Sequence, residues 1–87
     1  MLRIKIEAII KDYFKDKTTI FLKDIKFIEE LNEYQIDIFK DWHIGLNVND
    51  IVRHERDMKE YIDYLLEYEI KNILNKMYFK VSEGDNE

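Results

Sequence analysis

Eighty-seven residues with a formal net charge of −5, 46% hydrophobic and 14% aromatic side chains, set the bounds. A chain of this size buries only roughly 60–65% of its unfolded surface, but its apolar content excludes a disordered chain, so one domain is expected over 1–81 with a disordered acidic tail over 82–87. The absence of cysteine and proline, with only two glycines, excludes disulfide frameworks, thiolate metal sites and glycine-rich phosphate cradles.

Residues 2–16 place Leu2, Ile6, Ile9, Ile10, Tyr13 and Phe14 on one helical stripe and Lys5, Lys11 and Lys15 elsewhere, which predicts an amphipathic N-terminal helix. Charges interrupt this segment too often for a signal peptide, and no apolar run reaches the length of a membrane span, so a cytoplasmic protein with no membrane partner is expected. "DKTT" ends the helix, with Thr18 and Thr19 suited either to capping a new helix or to starting a strand.

The middle supports two readings. At a period of 3.6, Ile25, Ile28, Leu31, Ile38, Phe39 and Trp42 make a second helix ended by Gly45, and the chain is an all-α three-helix bundle. At a period of two, "EYQIDIF" and "WHIGLNV" alternate as the strands of a hairpin joined by "KD", with "TTIFL" as a third strand and "KDIKFIEEL" as a short helix between. β-Branched and aromatic residues dominate the alternating runs, which favours the second reading: an α+β fold with an N-terminal helix, a small antiparallel sheet or hairpin and a long C-terminal helix. That last helix is expected over about 50 to 80, with Asn49 as its N-cap and Asp50 complementing the helix dipole.

On this helix Tyr61, Tyr64 and Tyr68 fall together to one side of the apolar face, while Glu69 and Glu55 fall within it. Tyrosines at such spacing either lie along the edge of a core or form a contact surface, since tyrosine supplies large area and a polar tip at low entropic cost. A partner surface of Tyr61, Tyr64 and Tyr68 with Asp57, Glu60, Asp63, Glu67 and Glu69 is expected, Glu69 pairing with a Lys or Arg either across the interface or within the bundle. A helix of about 30 residues spans roughly 45 Å, longer than so small a domain is wide, so a homodimer through this helix is a further expectation.

Charge divides along the chain. Residues 1–28 carry seven Lys/Arg against four Asp/Glu, and residues 29–87 seven against fifteen. Such an acidic surface suits a protein partner with a basic surface and opposes phosphate-backbone binding, which needs clustered cations. The stretch "FKDWHIGLNVNDIVRHERDM" nevertheless resembles a helix-turn-helix, which implies Asn49, Arg53, His54 and Arg56 facing a major groove; Lys40 and Asp41 stand where that motif wants an apolar and a small residue. "HERDM" begins like a zincin helix but has Met58 in place of the second histidine. No nucleophile constellation or cofactor motif is present, so neither enzyme activity nor a cofactor or metal is expected.

The order "TIFLKDIKFIEEL", "YQIDIF" and "NDIV" resembles the small β-rich B domain of archaeal GINS replication subunits over residues 18–62, without the glycine-rich link and with Glu55 or a neighbour where a proline is expected. The resemblance implies a three-stranded sheet and a fragment of a replication-complex subunit. From size, charge and the Lys/Ile/Asn/Tyr-rich composition, the leading expectation is a small acidic protein-interaction module, an inhibitor or accessory factor of a larger complex such as a nucleic-acid-processing one, encoded by an AT-rich microbe, its phage or its mobile elements. The rivals are a nucleic-acid-binding regulator and a structural homodimer.

Overall fold

A computed structural model describes residues 2–17 and 20–86, with side chains to Met77. The first helix, α1 (Leu2–Phe14), follows the apolar stripe: Ile6, Ile10 and Phe14 recur every fourth residue and are buried, while Ile9 and Tyr13 flank them half-buried. The helix ends before Lys15 and Asp16, and the Lys15 ammonium turns back to the Asp12 carboxylate at 3.1 Å.

Three antiparallel strands follow in the spatial order β1-β2-β3: β1 (Leu22–Ile28), β2 (Glu33–Ile38) and β3 (His43–Asn47). β2 and β3 are the hairpin that the alternation predicts. Tyr34, Ile36 and Ile38 on β2 and Ile44 and Leu46 on β3 all point to one buried face, opposite outward Glu33, Gln35, Asp37, His43, Gly45 and Asn47. A turn over Phe39–Trp42 joins them, closed by Ile38 N–H donating to the Trp42 carbonyl at 3.0 Å, with Lys40 in the left-handed region at φ 59°.

β1 departs from expectation. "KDIKFIEEL" is not a helix between strands: its first six residues belong to β1, and only Glu29–Leu31 form a single 3-10 turn. The expected strand "TTIFL" contributes Leu22 alone, and Thr18 and Thr19 lie outside the described residues. A β-bulge explains the misreading. Leu22 pairs with Ile38 but Asp24 pairs with Asp37, so Lys23 is extra and the next inward residue after Leu22 is Ile25. One bulge therefore writes a three-residue apolar spacing into a strand, which reads as a helix.

The C-terminal half differs as well. Where one helix over 50–80 is predicted, α2 (Val48–Arg53) and α3 (Met58–Asn86) are separated by a turn. The cap of α2 is Asn47, not Asn49: its side chain accepts the Asp50 N–H at 3.3 Å, and Asn49 instead accepts from the Asn32 amide at 2.9 Å. The turn brings the His54 ring onto Tyr61, 3.7 Å between centroids and 10° between planes. In a straight helix two residues seven apart are about 10.5 Å apart along the axis, so this stack requires the break.

The helices cover one face of the sheet. Ile62, Leu66, Ile70 and Ile73 of α3 join the α1 stripe, the inward strand residues and Val48, Ile51 and Met58 in one core. Tyr34 is completely buried, its hydroxyl donating to the Arg3 carbonyl at 3.4 Å and its ring 5.2 Å from Phe27. Among the described residues no helix is long and apolar enough to cross a membrane. The side chains of the tail expected over 82–87 lie outside the described residues.

Candidate interaction surface on the C-terminal helix

α3 presents its outward face as a strip of Glu60, Tyr64, Glu67, Tyr68 and Lys71, about half a turn away from Ile62, Leu66 and Ile73. Tyr64 is 63% and Tyr68 52% exposed, and their rings lie nearly parallel with centroids 6.3 Å apart. The four-residue spacing that makes them neighbours on a helix makes the pair self-supporting. With Glu67 and Lys71 they line a shallow depression on the surface.

The third tyrosine has a different role. Tyr61 is half-buried against the core and stacked on His54, so its ring locks the α2–α3 turn. Asp57 belongs to the same turn, its carboxylate 3.3 Å from His54 Nδ1. Glu60 and Glu67 are exposed on the outward strip.

Asp63 faces α1 rather than the strip. One oxygen accepts from the Lys59 ammonium at 2.8 Å, while Oδ1 is buried without a hydrogen-bond partner among the described residues. Lys59 also approaches Asp12 at 3.8 Å, linking α3 to α1. The Asp63 bond, then the Asp63 charge, raise the Lys59 pKa above its ordinary value. Burial raises that of the Tyr13 hydroxyl, reinforced by Glu67 and Asp63. Glu69 is half-buried at the border of the apolar face and has no ion pair among the described residues. Glu55 lies exposed in the α2–α3 turn, off any helix face.

The candidate nucleic-acid residues do not gather on one helix. Asn49 and Arg53 are on α2, whereas His54 and Arg56 are in the turn beyond it. The segment that would supply the first helix of a helix-turn-helix is the β2–β3 turn and β3. Arg53 approaches Asp50 at 3.7 Å, and His54 is engaged by Tyr61 and Asp57.

Sequence periodicity does not single out a second apolar feature. Leu2 and Val52, 39% and 46% exposed, border a depression with Lys5, Glu55 and Met58 where α1 meets α2 and α3. Leu2 was legible only as a member of the α1 stripe, and Val52 carries no periodic signal. Compared with protein-family models, with curated proteins and with solved structures, the chain matches none.

Proposed function

We propose that the chain is a small acidic protein-interaction module that docks a basic partner surface through the outward strip of α3, acting as an inhibitor or accessory factor of a larger assembly. The observation that carries this reading is the exposed, stacked Tyr64–Tyr68 pair flanked by Glu60 and Glu67. Two large aromatic rings held at fixed spacing lose little entropy on contact, and aromatic anchors with a polar rim are the usual composition of a protein interface. The surrounding carboxylates, on a chain of net charge −5, steer a cationic partner and repel phosphate.

Affinity capture from native host lysate, with and without nuclease, tests the reading when the intact chain is run beside Tyr64→Ala and Tyr68→Ala. A stoichiometric protein that survives nuclease and is lost with either substitution, while both variants remain folded, is the expected result. Binding that survives both substitutions moves the surface elsewhere on the molecule. Recovery of nucleic acid alone, weakened by Arg53→Ala or Arg56→Ala, supports the regulator instead.

A further inference from the structure

The two edges of the sheet are unequal. Ile38 N–H donates to the Trp42 carbonyl at 3.0 Å and Val48 N–H to the Asn32 carbonyl at 2.9 Å, which sets the phase of the β2–β3 ladder. Hydrogen-bonded positions alternate along an antiparallel pair, so Ile44 and Leu46 turn their backbone groups toward β2, while His43, Gly45 and Asn47 turn theirs away. Asn47 is the cap residue of α2, so its carbonyl begins that helix. The N–H and C=O of His43 and Gly45 and the N–H of Asn47 remain, and among the described residues no side chain bonds to any of them.

On β1 the same alternation turns the backbone N–H and C=O groups of Ile25 and Phe27 away from β2, and there the edge is obstructed. The Ile25 N–H donates to the Asp24 carboxylate at 2.9 Å, a bulge interrupts the ladder, and Lys23 and Lys26 add charge. These are common means of preventing strand addition. β3 reads HIGLN, with no charge, bulge or proline.

Glu33 gives the open edge a chemical preference. Its side chain lies across Gly45: a Cβ at that glycine would collide with Glu33 Oε1 and stand 3.2 Å from Cδ. Among the described residues this carboxylate has neither an ion pair nor a hydrogen bond.

We propose that the free edge of β3 accepts an extended segment of a protein partner by main-chain pairing at His43, Gly45 and Asn47, with a lysine or arginine of that segment over Gly45 against the Glu33 carboxylate. A second copy of the chain is a poorer occupant. Pairing β3 with itself about Gly45 would set the two Gly45 Cα atoms about 5.5 Å apart and bring two Glu33 carboxylates together, and facing like charges destabilise a strand pair. A cationic strand reverses the sign of that contact. The edge is separate from the α3 strip, so either surface can fail without the other.

The test is selection of a random nonapeptide library on the full chain, with backbone amide chemical shifts locating the peptides obtained. Expected are alternating β-branched sequences with Lys or Arg at one fixed position, shifts centred on His43, Gly45 and Asn47, and about tenfold weaker binding to Glu33→Gln. Methylating alternate peptide nitrogens, which leaves the protein unaltered, abolishes binding. The proposal is overturned by selection yielding no peptide at β3, by peptides there lacking a cation, or by undiminished binding to folded Glu33→Gln. Concentration-dependent loss of the β3 amide signals in the free chain would also overturn it, by placing a second copy at the edge.

Discussion

The inward and outward faces of α3 share one backbone and differ in everything they touch. Ile62 and Leu66 are completely buried in the shared core, whereas Tyr64 and Tyr68, each two residues from Leu66, rest mainly on each other. Large apolar side chains thus occur on both faces, but only one face is filled by the protein itself. Stability and recognition are separable along a single helix when the 3.6-residue period keeps their residues apart, and substitutions on the two faces should separate them experimentally.

The largest expected effect is on the inward face. Leu66→Ala removes a fully buried side chain and should lower unfolding free energy by about 3 kcal/mol, read by urea titration, without altering partner affinity per folded molecule. Tyr64→Ala and Tyr68→Ala should do the reverse: stability within about 0.5 kcal/mol of the parent and a loss of about 2 kcal/mol in partner binding by calorimetry. A Tyr64 variant that unfolds the chain would break the distinction between the faces.

Smaller effects sharpen the boundary. His54→Ala should cost about 1 kcal/mol through loss of the Tyr61 stack, with amide exchange accelerated around the α2–α3 turn. Glu69→Leu should raise stability by roughly 0.5–1 kcal/mol, because it replaces a half-buried carboxylate beside the apolar face with carbon. A loss of stability on that change would show that the carboxylate has a partner in solution.

The smallest expected effect is on pH dependence. The Lys15 hydrogen bond, then the Lys15 charge, hold Asp12 below the ordinary value of 3.8; for Asp37 the Gln35 hydrogen bond does so first, with Lys26 adding to it. Groups with lowered folded pKa values stabilise fully above the ordinary value and lose that contribution as pH falls through the folded ones. Chemical denaturation followed from pH 5 downward should therefore show an acid-side decline, attenuated in Asp37→Asn. Asp12 is exposed and Asp37 half-buried, so salt should shrink the Asp12 share more than that of Asp37.

Much of this architecture was legible in the chain. The α1 stripe, the "EYQIDIF" and "WHIGLNV" alternation and the long apolar period of α3 each repeat over enough residues to overcome local noise, and the structure has all three. Tyr64 and Tyr68 were placed on an outward flank by spacing alone, and their exposure agrees. What misled was local irregularity. The bulge at Lys23–Asp24 gives β1 a helical spacing, and the break at His54–Asp57 interrupts a pattern that would run unbroken as a helix.

Sequence by itself therefore determined element types wherever periodicity is long, because side-chain direction follows from backbone geometry over several turns or pleats. Tertiary structure decided the rest: that β1 pairs through a bulge, that Tyr61 turns inward onto His54, and that Glu33 lies across Gly45 at an unobstructed edge. Each of these depends on a neighbour brought alongside by the fold, either across the sheet or around a turn, and periodicity along one element carries no record of such a neighbour.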